Sequence, residues 1–251
     1  PLYFMGVNSL KSQAEYMKDM FSVDLLKGHF ENYLIIFKNF KIGQYLFNTL
    51  LVTVLKLVFT MPLAIFASYA FAKLRFRGKN AMYPLIISAM FIPFQVIMIP
   101  VYTMLTKLHM IDTYRGLILV TGTIGIPSSI MLLSSSFRSI PNELLEAAAI
   151  DGCGYFRKIF HIMIPMGKPA IAICTIMGFI SSWNDLLPPM VIIKSVNKRL
   201  VMPALDGLVS MYNADTPFQL TGILIAAVPA IAIYLILSKQ IIMGISAGST
   251  K

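Results

Sequence analysis

Long apolar stretches alternate with short polar connections along this chain, and each stretch is far longer than a strand needs. A helix that crosses a hydrocarbon core takes about 20 apolar residues. By that measure five full spans are predicted, over residues 47–72, 82–106, 116–137, 164–191 and 218–237. Barrel strands alternate apolar and polar positions over about ten residues, whereas these runs are continuous, so helices are predicted throughout. The apolar start PLYFMGVNSL reads as the end of a further span whose beginning is missing from this chain. The mixed polar and aromatic segment after it reads as extramembrane. The expected fold is all-α: a polytopic membrane helix bundle, one transmembrane domain over residues 1–251.

Prolines interrupt several spans. Pro84, Pro93 and Pro100 fall in the second, Pro127 in the third, and Pro188 and Pro189 at the end of the fourth. Each removes a backbone donor and kinks its helix, and in a bilayer the freed carbonyls must find protein or water. The kinks either tune packing or shape a cavity. Orientation follows from the basic residues. The connection KLRFRGKN carries Lys73, Arg75, Arg77 and Lys79 without an acid, which argues for the cytoplasmic side. Alternation then places 107–115 and 192–217 outside, and 146–165 and the tail inside.

Composition agrees with the pattern and excludes other classes. The 251 residues are 57% hydrophobic and 13% charged, and the mean hydropathy is +0.75; soluble domains carry about 25% charged residues. The net charge of +10 would suggest nucleic acid in a soluble chain, but here the lysines and arginines flank spans, so no nucleic-acid partner is expected. Cys153 and Cys174 show neither CxxC spacing nor a disulfide framework. Phosphate-loop, HExxH and GxSxG motifs are absent, and His29, His109 and His161 lack metal-ligand spacing. No catalytic residue, metal or cofactor is expected on this chain, and energised work would draw on another chain or an ion gradient. The rival from another class is an intramembrane enzyme using Asp185 with a second acid.

One polar segment stands out, EAAAIDGCGYFRKIFHIMIP, within the connection 139–165. Pro141 suits a first helical turn, and Glu143 and Glu146 lie near its positive end. Ala147, Ala148 and Ala149 keep one face thin. Gly152 can take positive φ and stop the helix, and Phe156, Ile159, Phe160 and Met163 restart at helical spacing. A helix-turn-helix at the membrane surface is predicted, either docked in a groove of a soluble partner or resting on lipid headgroups.

A few polar residues lie inside the spans. Lys56 is near mid-depth, where an ionisable residue is by default a functional candidate, although it can also snorkel to the surface. Trp183, Asn184 and Asp185 stand before the proline break, and Gln95 lies between Pro93 and Pro100. All five are candidates for a solute path. For Trp183, Asn184 and Asp185 the structural alternative is an interfacial anchor and a satisfied helix end.

The polar segment resembles the signature loop of ABC importer permease subunits, EAA-x3-G-x9-I-x-L-P. Glu146, Ala147, Ala148, Gly152, Ile162 and Pro165 match it, and Ile164 stands where leucine is usual. YAFAKLRFRGKN, FIPFQVIMIP, DTYRGLIL, SSWNDLLPP and the tail GISAGSTK are similar to the carbohydrate-uptake branch, specifically the smaller permease of maltose-type importers. The resemblance implies a six-span permease fold, most of the first span being absent here, in a bacterial or archaeal cell (inner) membrane. It implies import of a sugar or oligosaccharide, with another small polar solute as the alternative. The implied partners are a second homologous permease, two ATPase subunits carrying ATP and magnesium, an extracytoplasmic solute-binding protein and membrane lipid. It also implies that Glu146, Ala147, Ala148, Asp151, Gly152, Phe156, Ile162 and Pro165 couple the chain to the ATPase.

Overall fold

The computed structural model describes residues 1–21, 28–211 and 215–248, the stretch 237–248 by its backbone path only. The side chains of the tail GISAGSTK lie outside the described residues. Three short helices come first: α1 (Leu2–Asn8), α2 (Gln13–Lys18) and α3 (Glu31–Lys38). A capping box starts α2, with the Ser12 hydroxyl accepting from the Glu15 N–H while the Glu15 carboxylate accepts from the Ser12 N–H. These helices are tied to the start of the last span. The Thr221 hydroxyl donates to the Ser9 carbonyl at 3.1 Å, and the Gln13 side chain accepts from the Thr216 N–H at 3.0 Å.

Unbroken apolar sequence gives the first long helix, α4 (Ile42–Lys73), which runs through Pro62. The stretch expected as one span over 82–106 is instead two arms. These are α5 (Lys79–Ser88), extended by a 3-10 turn over Ala89–Phe91, and α6 (Phe94–Lys107); they meet at 98°. Pro93 explains the break. It pushes the preceding Ile92 out of the helical region, to φ −90° and ψ 107°. Pro84 and Pro100 stay inside their helices.

The third span, α7 (Tyr114–Ser139), forms as expected and contains Pro127. The polar loop follows as α8 (Asn142–Ile150), α9 (Tyr155–Lys158), a π-helical turn over Ile159–Met163 and α10 (Ile164–Met166). The fourth predicted span is also corrected. Its helix α11 (Lys168–Trp183) is bent by 80° from the preceding segment and ends well before residue 191. Residues 184–186 separate it from α12 (Leu187–Ile192). A further apolar helix, α13 (Val201–Met211), occupies part of the expected outer connection, and α14 (Thr216–Gly248) is the last span. Among the described residues three long apolar helices and two bent pairs thus give 3 to 5 candidate crossings.

Packing is closest between α4 and α7. A Cβ at Gly122 would lie 2.7 Å from a Phe59 ring carbon, so only a bare backbone fits there. The Thr60 and Ser68 hydroxyls donate to the carbonyls of Gly122 and Ile130, each at 3.3 Å. Such bonds hold helices together where lipid removes the hydrophobic drive. At one end of α4 the Asn48 amide donates to the carbonyls of Asn197 (2.9 Å) and Arg199 (3.0 Å). At the other end Lys73 donates to the Ile140 carbonyl and to Asn142 Oδ1. Segments 73–79 and 138–165 therefore share one end of the bundle, and 107–115 and 192–200 the other, as loop charge alternation requires.

Candidate functional site

The polar loop is built on a two-faced helix. Leu145 and Ala148 of α8 are buried, Leu145 in a cluster with Tyr69, Phe137, Ile159 and Met163. Glu143, Leu144, Glu146, Ala147 and Ile150 face outward, Ile150 at 87% exposure. The expected docking triplet is thus split: Glu146 and Ala147 are exposed, whereas Ala148 is buried. Gly152 has φ +77°, a conformation that favours glycine. This turn closes the helix, with the N–H of Cys153 reaching the Ala148 carbonyl at 2.8 Å and that of Gly152 reaching Ala149 at 3.0 Å. Asp151 is exposed, Ile162 half-buried and Pro165 exposed. Phe156 is exposed as well, yet its ring meets that of Phe66 on α4 edge-on at 5.9 Å, and Phe160 meets the same ring at 6.2 Å. Lys73 and Phe66 thereby fasten the loop to α4.

A second feature lies within the bundle. The two breaks open a cavity of 640 Å³ whose wall includes Lys56, Gln95, Thr121, Ser128, Ser181 and Asp185. A chamber of 340 Å³ adjoins it, sharing Lys56, Met90, Gly125, Ser128 and Ser181 and adding Thr60, Ser129 and three more methionines. Ile92 and Gln95 reach the wall because the α5–α6 joint bends, and Asp185 because α11 has ended. Three of the five path candidates therefore meet at one place.

Trp183 and Asn184 do not. Trp183 is 2% exposed; its ring stacks on Phe179 at 5.4 Å and its Nε1–H donates to the Ala226 carbonyl at 3.0 Å. Asn184 turns its amide back to the Ile180 carbonyl at 2.9 Å, satisfying the end of α11. Neither side chain is among those that line the cavity or the adjoining chamber. Conversely, Thr121, Ser128 and Ser181 line the cavity without having been singled out in the sequence. Ser128 directly follows Pro127, and that was the available signal.

Sequence reading also passed over Asp112, in the turn between α6 and α7. It sits at φ +58°. Its carboxylate accepts from the Ser195 hydroxyl and N–H, the Lys194 N–H and the Lys198 ammonium, the last at 3.0 Å. The Ser195 hydroxyl above all, then the Ser195 N–H, Lys198 and the Lys194 N–H, hold the Asp112 carboxyl well below the usual carboxylate range. The carboxylate clasps the 193–198 loop to the start of α7. Among the described residues no three His, Cys, Asp or Glu side chains gather to hold a metal.

Known proteins resemble this arrangement over almost its whole length. The diacetylchitobiose uptake system permease protein NgcG of Streptomyces coelicolor is 29% identical, over 99% of this chain and 83% of its own. The arabinooligosaccharides transport system permease protein AraQ of Bacillus subtilis is also 29% identical, over 100% of this chain and 90% of its own. Among solved structures, that of a bacterial ABC transporter involved in the import of the acidic polysaccharide alginate matches with a TM-score of 0.80. It is 23% identical, over 95% of this chain and 89% of that one, a likeness of fold. A family model described as the binding-protein-dependent transport system inner membrane component matches residues 60–245, which take in the entire polar loop and both breaks. The chain belongs to the family of binding-protein-dependent transport system inner membrane components.

Proposed function

We propose that this chain is the membrane-spanning permease subunit of an ATP-driven importer of a sugar or oligosaccharide. The names of its relatives support the cargo class, since NgcG and AraQ are permeases for diacetylchitobiose and arabinooligosaccharides. The match to a structure of an alginate ABC transporter with its pentasaccharide-bound periplasmic protein supports a solute-binding protein as the partner that delivers it. In this reading a second homologous permease completes the pathway in a bacterial or archaeal inner membrane. Two ATPase subunits bind ATP and magnesium, and this chain hydrolyses nothing.

The observation that carries the reading is the outward face of α8. It offers Glu146 and Ala147 to a neighbour while its other face is locked to the bundle. A push on α8 has two hard routes into α4, the Lys73 bonds and the Phe66 rings, and α4 carries Lys56 into the cavity. Glu146 suits a basic group on the ATPase, and one charge-assisted contact there is worth about 1.5–3 kcal/mol.

The test is uptake and ATP hydrolysis by the reconstituted transporter with its binding protein. Proline fixes φ near about −65° and cannot reproduce the +77° of Gly152, so Gly152→Pro reorients the loop. Glu146→Lys reverses the charge offered. Both variants insert and assemble, while sugar taken up per ATP falls about tenfold or more, the equivalent of the lost contact. Normal coupling in both would remove α8 from the mechanism.

A further inference from the structure

An ammonium group buried in a bilayer without a partner is costly, and α4 holds one. Lys56 is 7% exposed, and among the described residues it makes no hydrogen bond and no salt bridge. What it does have is a cavity in front of it whose wall also carries a carboxylate, Asp185. The Asp185 carboxylate and the Gln95 amide likewise make no side-chain hydrogen bond to the protein among the described residues. By contrast the hydroxyl protons of Thr121 and Ser128 are spent on their own helix, donating to Leu117 and Gly125 at 2.8 and 3.0 Å. Besides the Ser181 hydroxyl, the free polar capacity of the 640 Å³ cavity is therefore a cation, an anion and an amide. That volume lies within the roughly 300–1,000 Å³ of small-molecule sites.

The net charge of this wall decides what it can hold. A solute carboxylate drawn to Lys56 meets Asp185 with like charge, and a solute amine drawn to Asp185 meets Lys56. In a low-dielectric site such like-charge approaches are far more costly than in water. A hydroxyl has no such conflict, because it accepts from an ammonium and donates to a carboxylate at once. Polyols present many hydroxyls, so the buried charges are both solvated when one enters.

Resting on the importer reading above, we infer that Lys56 and Asp185 form a charge-neutral donor–acceptor subsite. It admits uncharged polyhydroxylated solutes and excludes uronates. Gln95 adds an amide that can serve either end of a hydroxyl. The pair sets specificity inside the membrane, after any choice made by a binding protein.

The test is direct binding to the assembled transporter in nanodiscs, without its binding protein. The probes are raffinose as the neutral trisaccharide and trigalacturonate as the acidic one, followed by equilibrium dialysis. Wild type takes raffinose at least about tenfold more tightly than trigalacturonate, one hydrogen bond to a charge being worth that factor. Asp185→Asn lets trigalacturonate bind and brings the ratio near one. Lys56→Met, a swap of similar volume that buried sites tolerate, weakens raffinose about tenfold. The exchanged pair Lys56→Asp with Asp185→Lys keeps the preference for raffinose, which a merely structural lysine would not do. Equal binding of both probes to wild type, or a ratio that Asp185→Asn leaves unmoved, overturns the subsite. If neither probe binds while the complete system still imports a sugar, the subsite alone fails. If the complete system imports no saccharide at all, the importer reading fails with it.

Discussion

Removing the Asp112 carboxylate should loosen one end of the bundle, where residues 107–115 meet 192–200, by an amount the structure lets one work out. Four donors converge on its two oxygens: the Ser195 hydroxyl and N–H, the Lys194 N–H and the Lys198 ammonium. A hydrogen bond to a charged group contributes about 1.5–3 kcal/mol, but these four share one acceptor group and do not add. Solvent screens them as well, since the Asp112 side chain is 25% exposed and that of Lys198 44%. Discounted for both, the whole cluster is worth about 2–3 kcal/mol. For a chain of this size that corresponds to a fall in Tm of about 4–12 °C. The backbone at position 112 has φ +58°, so the substitution must tolerate it. Asp112→Gly deletes the side chain without adding strain, and Asp112→Asn keeps one oxygen and loses the charge, for roughly half the effect. Thermal unfolding of the purified protein in detergent reads both. pH supplies an independent check. Because folding lowers the Asp112 pKa, the stabilisation is complete above the unfolded value of about 3.9 and is lost as pH falls through the folded one. The gap between wild type and Asp112→Asn should therefore be full at neutral pH and close in acid. Wild-type Tm values in both variants, or a gap that persists unchanged in acid, would show that the loop is held by something else.

Three further outcomes are expected. Gly122→Val forces a side chain into Phe59, whereas Gly125→Ala adds a methyl 3.9 Å from Thr60. The first should cost about 1–3 kcal/mol of stability and much of the folded yield, the second almost nothing, by size-exclusion of the detergent extract. Phe66→Ala removes two aromatic contacts worth about 0.5–1.5 kcal/mol each; hydrogen exchange should quicken over residues 155–163 and stay unchanged in α14. Trp183→Phe loses the bond from Nε1 to the Ala226 carbonyl and should lower stability by about 1–3 kcal/mol while leaving the preference between neutral and acidic saccharides untouched.

The sequence reading succeeded where one physical signal dominates. Continuous apolar content has a single solution in lipid, and α4 and α7 appear within a few residues of their expected ends. The turn at Gly152 was readable because a glycine after a run of alanines has few other uses. Prolines were harder. Pro62, Pro100 and Pro127 ride inside helices while Pro93 breaks one, so a proline in an apolar run does not by itself say where the helix ends. Ala148 was assigned to the docked face because alanines look alike in sequence, yet α8 must bury one stripe, and position 148 falls on it with Leu145. Lys56 and Asp185 were each visible as polar residues in apolar runs, but their meeting across a cavity depends on two helix breaks far apart in the chain. The clasp at Asp112 left only the plain letters DTY, because its partners come from residues 194–198.

The 98° joint at Ile92 and Pro93 has a mechanical corollary. A straight rod embedded in lipid moves as a unit, so its two tips always shift together. An elbow decouples them: one arm can turn about the joint without carrying the other. α4 is bolted at both tips, to Asn197 and Arg199 at one end and to Ile140 at the other, so a turn at that joint would move the chamber's other wall. A crosslink across it would fix that wall without touching the chamber's charges.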